Sequence, residues 1–231
     1  MTNLDYLKNL NSEQKKAVIT TDGPLLVVAG AGSGKTRVLT SKIVYLIKEK
    51  KIIPNQILSV TFTNKAASEM QNRVIKMLKS SSSGLPWLGT FHSICAKLLR
   101  KHARSVGLNS NFTIIDTDDQ VMLIKNICKS ENIDTKKLSP KVILSIIDRW
   151  KNKGYYPEKV IINKKDIYEK IILPIYKIYQ KKLLDLNACD FGDLILHCVE
   201  MLEKDNGIRE IYTNNFKYIL VDEYQDTNFI Q

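Results

Sequence analysis

Apolar positions along the chain fall into two kinds of run. Short dense runs at residues 25–29, 57–62, 87–90, 113–115 and 217–222 read as strands, rich in Leu, Ile and Val. Between them apolar residues recur every three or four positions, as at Val38, Leu39, Ile43, Leu46 and Ile47, which is the spacing of one helix face. Strands alternating with helices predict an α/β fold built on a parallel sheet with helices on both faces. After Ile115 the pattern turns wholly helical. Asp116 or Thr117 can cap a helix carrying Val121, Ile124, Ile127 and Cys128. Ser139-Pro140 opens a second, with Ile143, Ile146, Ile147 and Trp150, that closes near Gly154. A third spans about 166–186 and is expected to kink at Pro174. Its Tyr168, Tyr176 and Tyr179 are expected to pack internally. A serine run at 80–83, followed by Gly84, reads as a flexible loop.

The run Leu25-Leu26-Val27-Val28 leads into Ala29-Gly30-Ala31-Gly32-Ser33-Gly34-Lys35-Thr36-Arg37. Glycines at 30, 32 and 34 let successive N–H groups approach phosphate oxygens with no side chain between. A helix starting near Lys35 adds the partial positive charge of its amino end. Lys35 would reach the β- and γ-phosphates, and the Thr36 hydroxyl would ligate Mg²⁺. Ala29 stands where the strict pattern has glycine, and the turn's requirement is only for a small residue.

A second strand, Tyr218-Ile219-Leu220-Val221, delivers Asp222-Glu223 to its carboxyl end. That is where α/β proteins place ligands. Asp222 reads as the carboxylate on the Mg²⁺ side, acting through a bound water. Glu223 reads as the general base for the attacking water. Gln225 and Asp226 extend the polar cluster. Together the two motifs predict an ATPase with a P-loop NTPase (RecA-like) fold. Nearly the whole chain lies between Lys35 and Asp222, too much for one strand–helix–strand unit, so a helical subdomain is inserted. The expected division is 1–93 and 205–231 for the ATP-binding domain and 94–204 for the insert.

Four further strings accompany these two: Leu10-Asn11-Ser12-Glu13-Gln14, Thr61-Phe62-Thr63-Asn64-Lys65-Ala66-Ala67, Gly89-Thr90-Phe91-His92-Ser93 and Asp190-Phe191-Gly192-Asp193-Leu194. In this order and spacing the chain resembles the superfamily 1 DNA helicases of the UvrD/PcrA/Rep type along essentially its whole length. The resemblance implies ATP-driven 3′-to-5′ translocation on single-stranded DNA, and an accessory role for the helical block. It implies that Gln14 reads the adenine edge and that Arg37 packs near the base. It implies that Phe62 stacks on a DNA base with Thr63, Asn64 and Lys65 beside it. Thr90, His92 and Ser93 would meet the DNA backbone, and Phe191 would add a further contact. Base stacking is indifferent to sequence, which suits a motor.

A formal charge of +11 favours a polyanionic partner. The lysine doublets 136–137, 164–165 and 181–182 could follow a phosphate backbone, although a Lys- and Ile-rich composition makes every surface basic. Cys95, Cys128, Cys189 and Cys198 show neither a C-x-x-C pair nor zinc spacing, and read as reduced core thiols. No apolar run approaches the roughly 20 residues of a membrane span. The expectation is a cytoplasmic, nucleoid-associated protein, monomeric as a fragment, whose partners are single-stranded DNA, single/double-strand junctions and a second motor domain. The motifs expected after the acidic strand would lie in downstream sequence, so unwinding by this chain alone is not expected. Two other readings are a nucleotide-gated DNA-binding module that recruits partners without turnover, and the motor half of a recombination helicase-nuclease. The intact Glu223 argues against the first, and the compact insert against the second.

Overall fold

The computed structural model describes residues 5–79, 84–136, 138–162 and 167–231. The serine run at 80–83, Lys137, the 164–165 doublet and Asp166 fall outside them. In chain order the elements are α1 (Ser12–Ile19), α2 (Lys35–Lys48), β1 (Ile57–Thr61), α3 (Asn64–Leu78), β2 (Leu88–Thr90) and α4 (Phe91–His102). There follow β3 (Thr113–Ile114), α5 (Thr117–Ser130), α6 (Pro140–Asn152), α7 (Ile167–Asp185) and β4 (Ala188–Cys189). The chain ends with α8 (Phe191–Lys204), α9 (Asn206–Asn215) and β5 (Tyr218–Val221). These elements group into two compact units, Met1–Ile94 with Glu210–Gln225, and Cys95–Arg209 with Asp226–Gln231. Residues 205–209 and 226–231, expected with the ATP-binding domain, therefore group with the helical unit.

The first unit is a parallel sheet in the order β2-β1-β5, flanked by helices. Central β1 is almost wholly buried, as a parallel strand covered by helices should be. Ile43, Val44 and Leu46 of α2 and Val74 of α3 join Ile57 and Leu220 in one core. Thr63 caps α3 by accepting from the Ala66 N–H, 3.1 Å away. Thr90 does the same for α4 through the Ser93 N–H, at 3.2 Å. Both helices therefore start directly at the ends of the strands that precede them.

One expected strand does not form. Residues 25–28 lie outside any sheet, with Leu26 70% and Val28 86% exposed. The run has strand composition, but a strand exists only through its ladder of backbone hydrogen bonds. Among the described residues β5 pairs with β1 alone, so residues 25–28 do not add to its other edge, and strand composition without that ladder makes no strand.

The second unit is helical except for a two-residue parallel bridge between β3 and β4. The 113–115 strand falls in this unit, within the range expected for the insert, and the bridge corrects one expectation: the segment after Ile115 is not wholly helical. Asp116 caps α5, Ser139 caps α6 with Pro140 at its first turn, and α7 continues through Pro174. The core gathers Ile127, Ile143, Ile147, Ile172, Tyr176 and Tyr179. Tyr168, expected to pack with the other two tyrosines, is 55% exposed. All four cysteines are free thiols. No helix among the described residues is long and apolar enough to cross a membrane.

Candidate nucleotide and nucleic-acid site

The glycine-rich turn runs into α2 with Gly32 at φ 73° and Gly34 at φ 89°, left-handed values that a side chain would strain. A Cβ on Gly30 or Gly32 would meet no protein atom within 4 Å, so that face of the loop is open. The Lys35 ammonium donates to the Ala29 and Gly30 carbonyls at 3.0 and 3.2 Å, and the Ser33 hydroxyl closes the turn on the Gly30 carbonyl at 2.7 Å. Ala31 is exposed in the same turn. Thr36 is half-buried and Arg37 exposed, one residue further along α2.

Gln14 is tied into this loop. Its carboxamide oxygen accepts from the Asn11 N–H at 3.0 Å, completing a capping box, while Nε2 donates to the Ser33 carbonyl at 2.8 Å. The amide predicted to read a base therefore also couples the start of α1 to the phosphate loop. Lys42 of α2 fixes the other end of α1, donating to the Ala17 carbonyl at 3.0 Å and to that of Thr20.

Asp222 lies just past β5, buried beside β1. Its N–H donates to the Val60 carbonyl at 2.9 Å, and its Oδ2 accepts from the Thr61 hydroxyl at 3.4 Å. Burial, then the Glu223 charge, raise its carboxyl above the ordinary range; the Glu223 N–H, Thr61 and the charge of Lys35 pull it back. The Lys35 charge is the smallest of these influences. Glu223 stands at φ 48°, a left-handed conformation uncommon for a residue with a side chain. Gln225 Nε2 donates to its Oε2, at 2.5 Å, which holds the carboxylate. The sequence reading missed Thr61. Only the register reveals it: Val60 pairs with Val221, and the next residues are Thr61 and Asp222.

The aromatic and backbone-binding candidates come together at the same sheet edge. Thr61 of β1 pairs in register with Thr90 of β2, so Phe62 and Phe91 follow side by side. Their rings meet edge to face, centroids 5.6 Å apart at 62°. Phe62 is half-buried while Thr63, Asn64 and Lys65 are exposed at the amino end of α3. Thr90 is buried, its side-chain oxygen committed to the cap. His92 is half-buried at the start of α4, and burial lowers its imidazole from the ordinary value, favouring the neutral ring. It is thus suited to a hydrogen bond with a phosphate more than to a charge contact.

Phe191 belongs to the helical unit. It is the first residue of α8 and 51% exposed, between Asp190 and Asp193, which are completely buried. These two acids cap the helix reciprocally and both grip Lys151 of α6, whose Nζ lies 2.5 Å from Asp190 Oδ2 and 2.7 Å from Asp193 Oδ1. Tyr179 donates to Asp190 at 2.9 Å and Gln180 to Asp193 at 3.0 Å. Burial opposes the Lys151 charge, but the two carboxylates outweigh it and hold the lysine above its ordinary value. Lys151 was missed by the sequence reading, although its position was a signal: it follows Ile143 and Ile147 at four-residue steps, a cation on a core-facing stripe.

One consequence is measurable in Asp148, in the same helix. Burial, with the charges of Asp190 and Asp193, raises its carboxyl to about 6. A raised carboxyl favours the folded state below the unfolded value and penalises it as pH climbs through the folded one. Asp148→Asn is therefore expected to stabilise the unit by about 1 kcal/mol at pH 7, discounted for the carboxyl's remaining solvent contact. Thermal melts of the two proteins at pH 7 and pH 4 check this: most of the gain should be lost at pH 4.

The sequence pattern of the UvrD/REP helicase N-terminal domain matches residues 10–231. The chain belongs to the UvrD/REP helicase family. It is 48% identical over 225 residues to an ATP-dependent DNA helicase PcrA of Staphylococcus epidermidis, covering 97% of this chain and 31% of that protein. It is 47% identical over 234 residues to a probable DNA helicase II homolog of Rickettsia conorii, covering all of this chain and 35% of that protein. A Staphylococcus aureus PcrA is 45% identical over 225 residues. The chain thus spans about a third of the length of the curated relatives it matches.

Proposed function

We propose that this chain binds ATP with Mg²⁺ and single-stranded DNA, and forms the first motor unit of a 3′-to-5′ DNA helicase, with the helical unit as its accessory subdomain. The observation that carries this reading is the parallel register that sets Asp222 beside Thr61 at the carboxyl end of the strands, where Phe62 and Phe91 follow β1 and β2 ring to ring. A nucleotide site and a nucleic-acid site built on the same strand ends can exchange small displacements directly.

The residues fit the nucleotide. The open glycine face and the amino end of α2 offer N–H groups to phosphates, Lys35 offers a charge, and Gln14 stands beside the loop with an adenine-compatible amide. They also fit Mg²⁺. Thr36 and Asp222 supply two oxygen donors of the kind a hard cation takes. That suits an ion that retains water and takes the rest of its shell from phosphate. When bound, the ion neutralises phosphate charge. Asp222 must be ionised to serve it, which Lys35 and Thr61 favour. Glu223, fixed by its backbone conformation and by Gln225, orients a water and takes its proton.

Equilibrium binding tests the two halves of the reading. Saturable binding of a fluorescent ATP analogue with Mg²⁺ and of labelled oligothymidylate is expected for this chain. Nucleotide binding with no DNA affinity would leave a nucleotide module and remove the helicase reading. In the full-length enzyme that the reading implies, Glu223→Gln should retain both ligands while DNA-stimulated ATP hydrolysis falls by roughly 10²- to 10⁴-fold. Normal hydrolysis in that variant would exclude Glu223 as the base.

A further inference from the structure

The buried lysine in the helical unit has no part in nucleotide chemistry, yet its contacts surround a single exposed ring. In the turn Asp190-Phe191-Gly192-Asp193 the two acids are 0% exposed and Phe191 is 51% exposed. Lys151 reaches three of the four residues. Its ammonium holds Asp190 and Asp193, and its stem passes so close to Gly192 that a Cβ there would lie 2.9 Å from Cδ and 3.3 Å from Cβ of the lysine. Gly192 is not among the positive-φ glycines, so the close approach of Lys151 accounts for it rather than the backbone. Tyr179 and Gln180 of α7 brace the same carboxylates from the other side.

A motif that needed only a helix cap would be complete with Asp190 and Asp193. Burying a cation beneath it costs desolvation, which its two close carboxylate contacts offset while holding the turn to one arrangement. What that geometry fixes is the direction of Phe191.

We propose that Lys151 is a positioning residue for Phe191, locking the first turn of α8 so that the exposed ring is presented to a nucleobase of single-stranded DNA. This rests on the reading of Phe191 as a DNA contact. The positioning acts through three restraints: two charge-assisted hydrogen bonds fix the turn's ends, and the packed stem fixes its middle. A stacking side chain held in this way loses little rotational freedom of its backbone when it binds.

A double-mutant cycle on this chain tests the proposal, with labelled oligothymidylate affinity and melting temperature as readouts. Phe191→Ala should weaken DNA binding roughly tenfold, the scale of one base–aromatic stack. Gly192→Ala leaves every charge in place and should weaken binding about fivefold or more through the displaced turn, while the chain still melts cooperatively. Lys151→Met should do the same where it folds; where it does not, Gly192→Ala carries the test. In the Phe191→Ala background neither substitution should weaken binding further, because both act through the ring. A purely structural role would instead give additive losses, and additivity would overturn the proposal. Unchanged DNA affinity in Gly192→Ala, with Phe191→Ala still impaired, would also overturn it while leaving Phe191 as a DNA contact. Unchanged affinity in Phe191→Ala would remove the DNA reading of that residue itself, and the proposal with it.

Discussion

Lys35→Ala is expected to lower affinity for ATP by roughly a hundred- to a thousandfold, about 3–4 kcal/mol, the value of two or more hydrogen bonds to charged groups. In the structure the ammonium is satisfied by two neutral carbonyls, those of Ala29 and Gly30. Phosphate oxygens are stronger acceptors at the same reach, so a nucleotide replaces those contacts with better ones. Alanine loses both sets and also frees the loop that the lysine spans. The amino end of α2 and the loop N–H groups survive the substitution, which is why a residual affinity is expected. The lysine's effect on Asp222 adds a second signature. Without that charge the carboxyl, already raised by burial and by Glu223, loses one of the influences that keep it ionised. Titration calorimetry with a non-hydrolysable ATP analogue and Mg²⁺ checks both halves. Affinity within threefold of the parent, about 0.7 kcal/mol, would remove Lys35 from the phosphate site.

What could be read from the sequence follows how far apart the cooperating residues lie. The glycine-rich turn and the helix that starts at Lys35 form one contiguous string, so that local structure was legible without the fold. The same holds for Asp222-Glu223, where an apolar run ending in two acids is its own signal. The caps of α5 and α6 were legible because Asp116 and Ser139-Pro140 act within one turn. Residues 25–28 misled because strand composition is local while strand formation is not: the ladder of hydrogen bonds to a neighbour must form, and among the described residues β5 pairs only with β1. The β3–β4 bridge escaped for the converse reason, being two residues long and assembled from segments far apart in the chain. The Phe62–Phe91 contact and the Thr61–Asp222 hydrogen bond depend on parallel register, which no single segment encodes. The left-handed backbone of Glu223 left no trace at all, since glutamate carries no preference for it.

Lys151→Met is expected to destabilise the helical unit by about 3–5 kcal/mol, the usual cost of removing one partner from a buried ion pair. The side chain is of similar length and apolar, so the loss comes from what remains. Asp190 and Asp193, both fully buried, would keep Tyr179 and Gln180 as donors but lose the ammonium that both carboxylates hold. Two adjacent carboxylates without that cation cannot both stay ionised cheaply, so their folded values rise above the unfolded ones. The sign follows from linkage: the penalty is full at neutral pH, shrinks as pH falls through the raised values, and vanishes below the unfolded carboxylate range. Denaturant unfolding of parent and variant at pH 7 and pH 4 should therefore show a deficit that narrows on acidification. Adding Asp193→Asn to Lys151→Met should recover part of the loss at pH 7, because it removes one stranded charge and leaves an amide that can still cap the helix. A deficit below about 1 kcal/mol, or one independent of pH, would mean that solvent reaches the acids once the lysine is gone. The cluster would then hold the turn by packing alone, with Gly192 against the stem as the contact that matters.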